Sequence, residues 1–254
     1  MDEAAIQAHV RAINRCNQRG GRMLSLVDLI EAGTLDLPLA AYLAAAMRAG
    51  ASLLVGARPG GAGKTAVMCA LLNFLPDDTV IRAVDSRAVL AEGQRDDEPG
   101  RTCYLAHEIS SASYYAYVWG HEARTLFGLV ADGHVIASNL HADTLEETRD
   151  QLCRENGVAP AHLDAVTLKV YLQVKRSVGW SAQRWVGSVY ESAGGGDRLL
   201  WSRETGGTFV RHQPFESAVV SQEQEKECAE FLAGLQRQSL RHIEDVRRAL
   251  VKWG

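Results

Sequence analysis

The stretch "LLVGARPGGAGKTAVMCALLNFLP", residues 53–76, constrains this chain more than any other. An apolar run reads as a buried strand, a glycine-rich break follows, and Thr65–Leu75 has the pattern of a helix. Small residues at Pro59, Gly60, Gly61, Ala62 and Gly63 let consecutive backbone N–H groups curl around a phosphate, and the helix N-terminus adds partial positive charge. Lys64 then reaches the outer phosphates while the Thr65 hydroxyl ligates Mg²⁺. Arg58 stands where such a loop ordinarily begins with glycine. Its side chain must point away from the phosphates, swing in to add charge, or demand a changed turn.

Strand and helix patterns alternate after the loop. Strands are expected at 52–56, 78–86, 102–109 and 134–141, with a loop at 94–101. Helices are expected at 120–133 and at 144–157, where Thr144 and Glu147 are spaced as a capping box. Such alternation predicts an α/β fold with a mainly parallel sheet and helices on both faces. From about residue 165 the segments become short, alternating and rich in Val, Tyr and Trp, joined by turns such as "GGGD". These predict antiparallel strands extending one sheet edge. Before the loop, residues 2–18 read as a helix. Arg11, Arg15, Arg19 and Arg22 decorate it, as a solvated face or as groups approaching a nucleotide or a neighbouring subunit. Two short helices follow, with Pro38 in the first turn of the second and Gly50 at its end. A closing amphipathic helix or helix pair begins at a capping box of Ser221 and Gln224.

Composition excludes several classes. The chain has 254 residues, 46% hydrophobic and 23% charged, with a net charge of −4. This balance gives no general nucleic-acid signal. Five scattered cysteines without CxxC spacing read as reduced thiols, and the acidic N-terminus lacks a signal-peptide core. No apolar run of about 20 residues is present, so no membrane span is expected and the location predicted is cytoplasmic.

Several motifs occur in one order: "DLIEAGT", the phosphate loop with "LLNFLP", "VIRAVDS", and "GHEARTLFGLVADGHVIASNLHADTLEE". In this order they resemble the ATPase core of the type II and type IV secretion, type IV pilus and archaellum motor family, over roughly residues 22–192. The resemblance implies a RecA-like P-loop domain at 22–220, flanked by an N-terminal helix at 1–21 and a helical segment at 221–254. The N-terminal helix stands where family members carry a separate domain that closes over the nucleotide. ATP and Mg²⁺ are the implied ligands. Self-association into a ring such as a hexamer is implied, as is work with inner-membrane platform or other machine components. Glu108, in "YLAHEIS", matches the family's water-orienting Walker B glutamate, with Asp85 helping to hold Mg²⁺ or its waters. His134 and His141 match its His box, which implies phosphate sensing or coupling to a neighbour.

This chain departs from the family at Val84, where one carboxylate of an acidic pair is lost, and at Ser110, which replaces an arginine. "SASYYAYVW" reads as an insertion after Ser110. A second alignment through that insertion puts Tyr117 where the glutamate belongs. Two functions therefore remain open: an ATP-hydrolysing motor subunit, and a nucleotide-binding regulatory or scaffolding subunit without turnover. No NKxD segment supports a GTPase, and a small-molecule kinase leaves the His box unexplained.

Overall fold

A computed structural model describes the chain except for residues 18–19, 96–101, 177–181, 194–195 and 213–215. Arg19, most of the loop expected at 94–101 and the start of the "GGGD" turn lie outside the described residues.

Three helices precede the sheet. Helix α1 (Glu3–Asn14) starts where the Asp2 carboxylate accepts the Ala5 N–H at 2.8 Å. Helix α2 (Leu26–Glu31) opens on a reciprocal capping box of Ser25 and Asp28, and α3 (Leu37–Arg48) carries Pro38 in its first turn. Strand β1 (Leu53–Gly56) leads through the glycine-rich loop into α4 (Lys64–Leu72). Strand β2 (Val80–Ala83), helix α5 (Arg87–Gly93), strand β3 (Thr102–Ala106) and the two-residue strands β4 (Glu108–Ile109) and β5 (Tyr117–Val118) follow. Next come α6 (His121–Ala131), β6 (Val135–Leu140), α7 (Leu145–Arg149), a π-helical turn (Asp150–Glu155) and α8 (Pro160–Asp164). The last third contains β7 (Leu168–Arg176), β8 (Ala182–Ser192), β9 (Asp197–Arg203), β10 (Phe209–Arg211), α9 (Gln222–Arg237) and α10 (Ile243–Trp253).

Eight strands form one sheet in the order β10-β9-β8-β7-β1-β6-β3-β2. The pairs from β2 through β3, β6 and β1 to β7 are parallel, and those from β7 outward are antiparallel. Side-chain alternation divides the core. Leu53, Val55, Cys103, Leu105 and Ala137 pack beneath α1–α4, α9 and α10, whereas Leu54, Tyr104, Ile136 and Leu140 pack beneath α5, α6, the π turn and α8. Helices thus cover both faces of a mainly parallel sheet, as the alternation predicts. The outlying segments share the first core: Val10 and Ile13 of α1 and Leu232, Val246 and Leu250 of the closing helices belong to it. Arg247, fully buried on α10, donates to the carbonyls of Asn73 and Leu75 at 3.0 and 2.6 Å, caps the end of α4 and so ties the C-terminal helix to the helix that follows the loop.

Three local readings are corrected. The strand expected at 102–109 breaks at His107, whose N–H bonds Ala116 O at 2.7 Å, so that Glu108 pairs with Tyr117 instead of continuing the main sheet. The helix expected to reach residue 157 is α7 and then π-helical from Asp150. Its start is half a capping box: Thr144 accepts the Glu147 N–H, but the Glu147 carboxylate takes the Asp143 N–H. Helix α5 is additional, being too short to display a helical period in sequence. Among the described residues no helix is long and apolar enough to cross a membrane.

Candidate functional site

Parallel strands bring their C-terminal ends, and the loops leaving them, to one edge of the sheet. Here that edge gathers the ends of β1, β3 and β6. Gly56 closes β1 so tightly against its neighbours that an added Cβ would lie 2.5 Å from Ala142 O and 2.7 Å from the Tyr171 ring. Ala57 N–H then bonds Leu140 O, and Arg58 N–H bonds the Asp143 carboxylate at 2.8 Å. The Arg58 guanidinium turns outward to Glu147, 2.9 Å away. Among the described residues only Ala116 and Ser239 combine a side chain with positive φ, so Arg58 occupies ordinary backbone and no glycine is required there. The left-handed positions of the loop are Gly61 and Gly63, at φ +80° and +99°. Arg184 of β8 reaches over this loop and donates to Gly61 O at 2.6 Å.

At the start of α4, Lys64 Nζ lies 2.9 Å from Glu108 Oε1 and 3.1 Å from Ala57 O. His141 Nε2 is 3.0 Å from the same carboxylate oxygen, and the Tyr117 hydroxyl donates to Glu108 Oε2 at 2.8 Å. Burial pushes the Glu108 carboxyl up. The Lys64 ammonium, the Tyr117 hydroxyl and His141 outweigh that and hold it below the usual carboxylate value, hence ionised at neutral pH. Burial and the carboxylate beside it push the Tyr117 phenol up to about 12, so it remains a donor. His107, next in the chain, is held low by burial despite the adjacent Glu108 charge.

Asn139 is the residue that sequence reasoning missed. It is fully buried on β6, donates to His107 O at 2.8 Å and lies 3.4 Å from Thr65 Oγ1 through the same nitrogen. Its Oδ1 is buried without a hydrogen-bond partner. Only the position one strand away from Thr65 reveals it; an asparagine within an apolar strand was the available signal.

Lys64, Thr65, Glu108 and His141 are therefore brought together. His134 and Asp85 are not. His134 precedes β6 at the opposite end of that strand, buried with its ring edge-on to Tyr104 at 5.5 Å. Seven residue steps of extended chain separate it from His141, roughly 23 Å. Asp85 follows β2, with β3 and β6 between it and β1. It is exposed and lines a cleft of about 370 Å³ with Arg87, Ser110, Tyr114 and Tyr115, on the far side of Tyr117, which also lines it.

The loop fits a phosphate chain: two left-handed glycines, a lysine and a helix N-terminus converge on it. The Thr65 hydroxyl at the helix start is an oxygen that suits Mg²⁺, and the Asn139 group that faces it is the amide nitrogen. A larger cleft of about 520 Å³ lies beside the loop, lined by Arg58, His141, Glu147, Asp150, Arg154 and Glu155. Its arginines are paired with carboxylates, Arg58 with Glu147 and Arg154 with Asp150.

No family model matches the chain, and no curated protein matches it. Solved structures similar to it include two ATPases. One is the VirB11 ATPase from the Brucella suis type IV secretion system in complex with sulphate, 21% identical over 65% of this chain and 54% of that one, with a TM-score of 0.44. The other is the Legionella pneumophila ATPase DotB, 10% identical over 86% of this chain and 59% of that one, with a TM-score of 0.42. The chain thus spans a little over half the length of each.

Proposed function

We propose that this chain binds Mg·ATP over residues 59–65 and hydrolyses it, as a subunit of a ring-forming motor for a secretion or pilus-like machine. The observation that carries the chemistry is the convergence of Lys64, Glu108 and His141 at one sheet edge. The family assignment and the ring rest on the order of motifs in the sequence.

Phosphate oxygens compete with Glu108 for the Lys64 ammonium. Once Lys64 turns to them, Glu108 is left with Tyr117 and His141 and can accept a hydrogen bond from a water in line with the terminal phosphate. Its ionised state is the one that role needs. The Thr65 hydroxyl would hold Mg²⁺, which would neutralise charge on the transferring phosphoryl group, with the Asn139 amide nitrogen beside that hydroxyl. His141, half exposed, is the histidine placed to touch the terminal phosphate. Asp85 and His134 have no part in this chemistry from where they stand.

A second reading is a nucleotide-binding regulatory or scaffolding subunit without turnover. It draws on the position of Asp85, which leaves Glu108 as the single carboxylate beside Lys64 among the described residues. Both readings require binding. Calorimetry of Mg·ATP with wild type and Lys64→Ala is expected to show binding that the substitution abolishes, and undiminished binding contradicts both.

A further inference from the structure

We infer that Tyr117, from the segment read in sequence as an insertion, is a positioning residue that holds the Glu108 carboxylate when Lys64 is drawn to phosphate. The inference rests on the hydrolase reading of this site and deepens it.

The carboxylate is met from every side by identifiable groups. Lys64 approaches from α4, His141 from the end of β6, Tyr117 from β5, and His107 precedes it in the chain. Among the described residues, Lys64 and His141 share Oε1, whereas Tyr117 alone bonds Oε2. A nucleotide that attracts Lys64 thus removes one of the two contacts on Oε1 and leaves the hydroxyl contact on Oε2 intact. A carboxylate released from its cation and free to rotate orients water poorly, and one gripped through its second oxygen does not rotate.

The backbone around Tyr117 is built to deliver that hydroxyl. Glu108 and Tyr117 are direct partners in the parallel β4–β5 pair. His107 N–H to Ala116 O at 2.7 Å and Ser110 N–H to Val118 O at 3.0 Å lock the pair on either side. Gln151 donates to Ile109 O at 3.0 Å from the π turn. Ala116, immediately before Tyr117, is held at φ +54°, a conformation that is unfavourable for a non-glycine residue. Surrounding contacts must over-determine such a residue, and strain of this kind concentrates where a side chain is being aimed. Tyr117 is half-buried, its ring packed against His107 and Tyr114 at 5.6 and 5.3 Å, which limits the paths its hydroxyl can take.

The experiment compares wild type, Tyr117→Phe and protein carrying 3-fluorotyrosine at 117, a stronger hydrogen-bond donor. The Glu108 carboxyl is titrated by carbon NMR of glutamate-labelled protein, with Glu108→Gln identifying its signal, and ATP affinity and turnover are measured on the same samples. Tyr117→Phe is expected to raise the Glu108 midpoint by about one pH unit, since one unit corresponds to the loss of a single good contact to the charged form. Turnover should fall about tenfold with ATP affinity nearly unchanged, because the contact matters once Lys64 has moved. Fluorotyrosine should lower the midpoint and keep turnover. A Glu108 midpoint that is the same in all three proteins overturns the inference, and if the Phe variant folds poorly, an unshifted midpoint in the fluorotyrosine protein overturns it alone. If wild type hydrolyses no ATP, the hydrolase reading falls, while the titration still decides whether Tyr117 holds Glu108.

Discussion

Lys64 Nζ and Glu108 Oε1 stand 2.9 Å apart, joining the first residue of the helix after the phosphate loop to the first residue beyond the central strand break. Both side chains are nearly buried, so each would be costly to leave alone. Removing one partner of a buried pair typically costs about 3–5 kcal/mol because the other charge is stranded. Any ligand that takes Lys64 must therefore offer it comparable charge, which polyphosphate does. The pair sets a threshold that favours highly charged ligands over weak anions.

Acid should reveal Glu108 as a stabilising carboxylate. Its folded pKa lies below the ordinary value of 4.5. Its contribution is thus fully present above about pH 4.5 and is lost as pH falls through the lower folded value. Denaturant melts of wild type and Glu108→Gln across this range should show a stability gap that is constant above about pH 5 and narrows below about 4.5. A gap independent of pH would contradict the ion pair.

His9 predicts a second acid-sensitive term of different origin. Burial first, and the nearby Arg247 charge second, push its imidazole down to about 3 from an ordinary 6.5. The unfolded chain therefore takes up a proton below about pH 6.5 that the folded chain refuses until about pH 3, and stability falls across that window. His9→Gln should flatten the dependence between about pH 6.5 and about pH 4 in thermal melts. Equal slopes for the two proteins would show that His9 is not buried in neutral form.

Gly56→Ala tests the close approach beneath the loop. The added methyl would meet Ala142 O at 2.5 Å, so β1 and the loop after β6 must separate. A destabilisation of about 1–3 kcal/mol, the usual cost of overpacking, is expected in denaturant unfolding. Mg·ATP binding should weaken as the loop shifts. Neutral stability would contradict the packing.

Arg58→Gly should do little. The backbone at this position needs no glycine, and the exposed pair with Glu147 contributes at most about 1 kcal/mol. Calorimetry should give ATP affinity within about threefold of wild type, since a rim contact alone changes. A large gain on restoring glycine would mean that Arg58 distorts the loop.

The sequence made some parts of this molecule legible because their signals are local. The strand–loop–helix of 53–72 follows from an apolar run, paired glycines and a lysine at a helix start. The antiparallel edge follows from two-residue alternation, and the Ser221–Gln224 box from capping chemistry that operates within one turn. Other parts depend on contacts between distant segments. Arg184 lies over the loop only because β8 pairs with β7, which pairs with β1. Asn139 becomes a site residue only because β6 is the neighbour of β1. The two histidines flanking β6 look alike in sequence, and the parallel direction of the strand alone decides that His141, not His134, meets the loop. Glu108 and Tyr117, the two residues that the alternative alignments put at one position, are neighbours in the fold: they pair across β4 and β5, with Ala116 at positive φ just before Tyr117. No sequence rule anticipates an alanine in that conformation.

The central claim is that Glu108 does chemistry on a nucleotide held by Lys64. It is tested most directly by measuring Mg·ATP turnover beside Mg·ATP affinity in wild type and Glu108→Gln. The account predicts measurable turnover in wild type, and in the variant a loss of at least about a hundredfold with affinity nearly unchanged, since orienting water matters in the transition state and not in binding. Wild-type turnover surviving in Glu108→Gln, or wild type that binds Mg·ATP tightly and never hydrolyses it, would contradict the account.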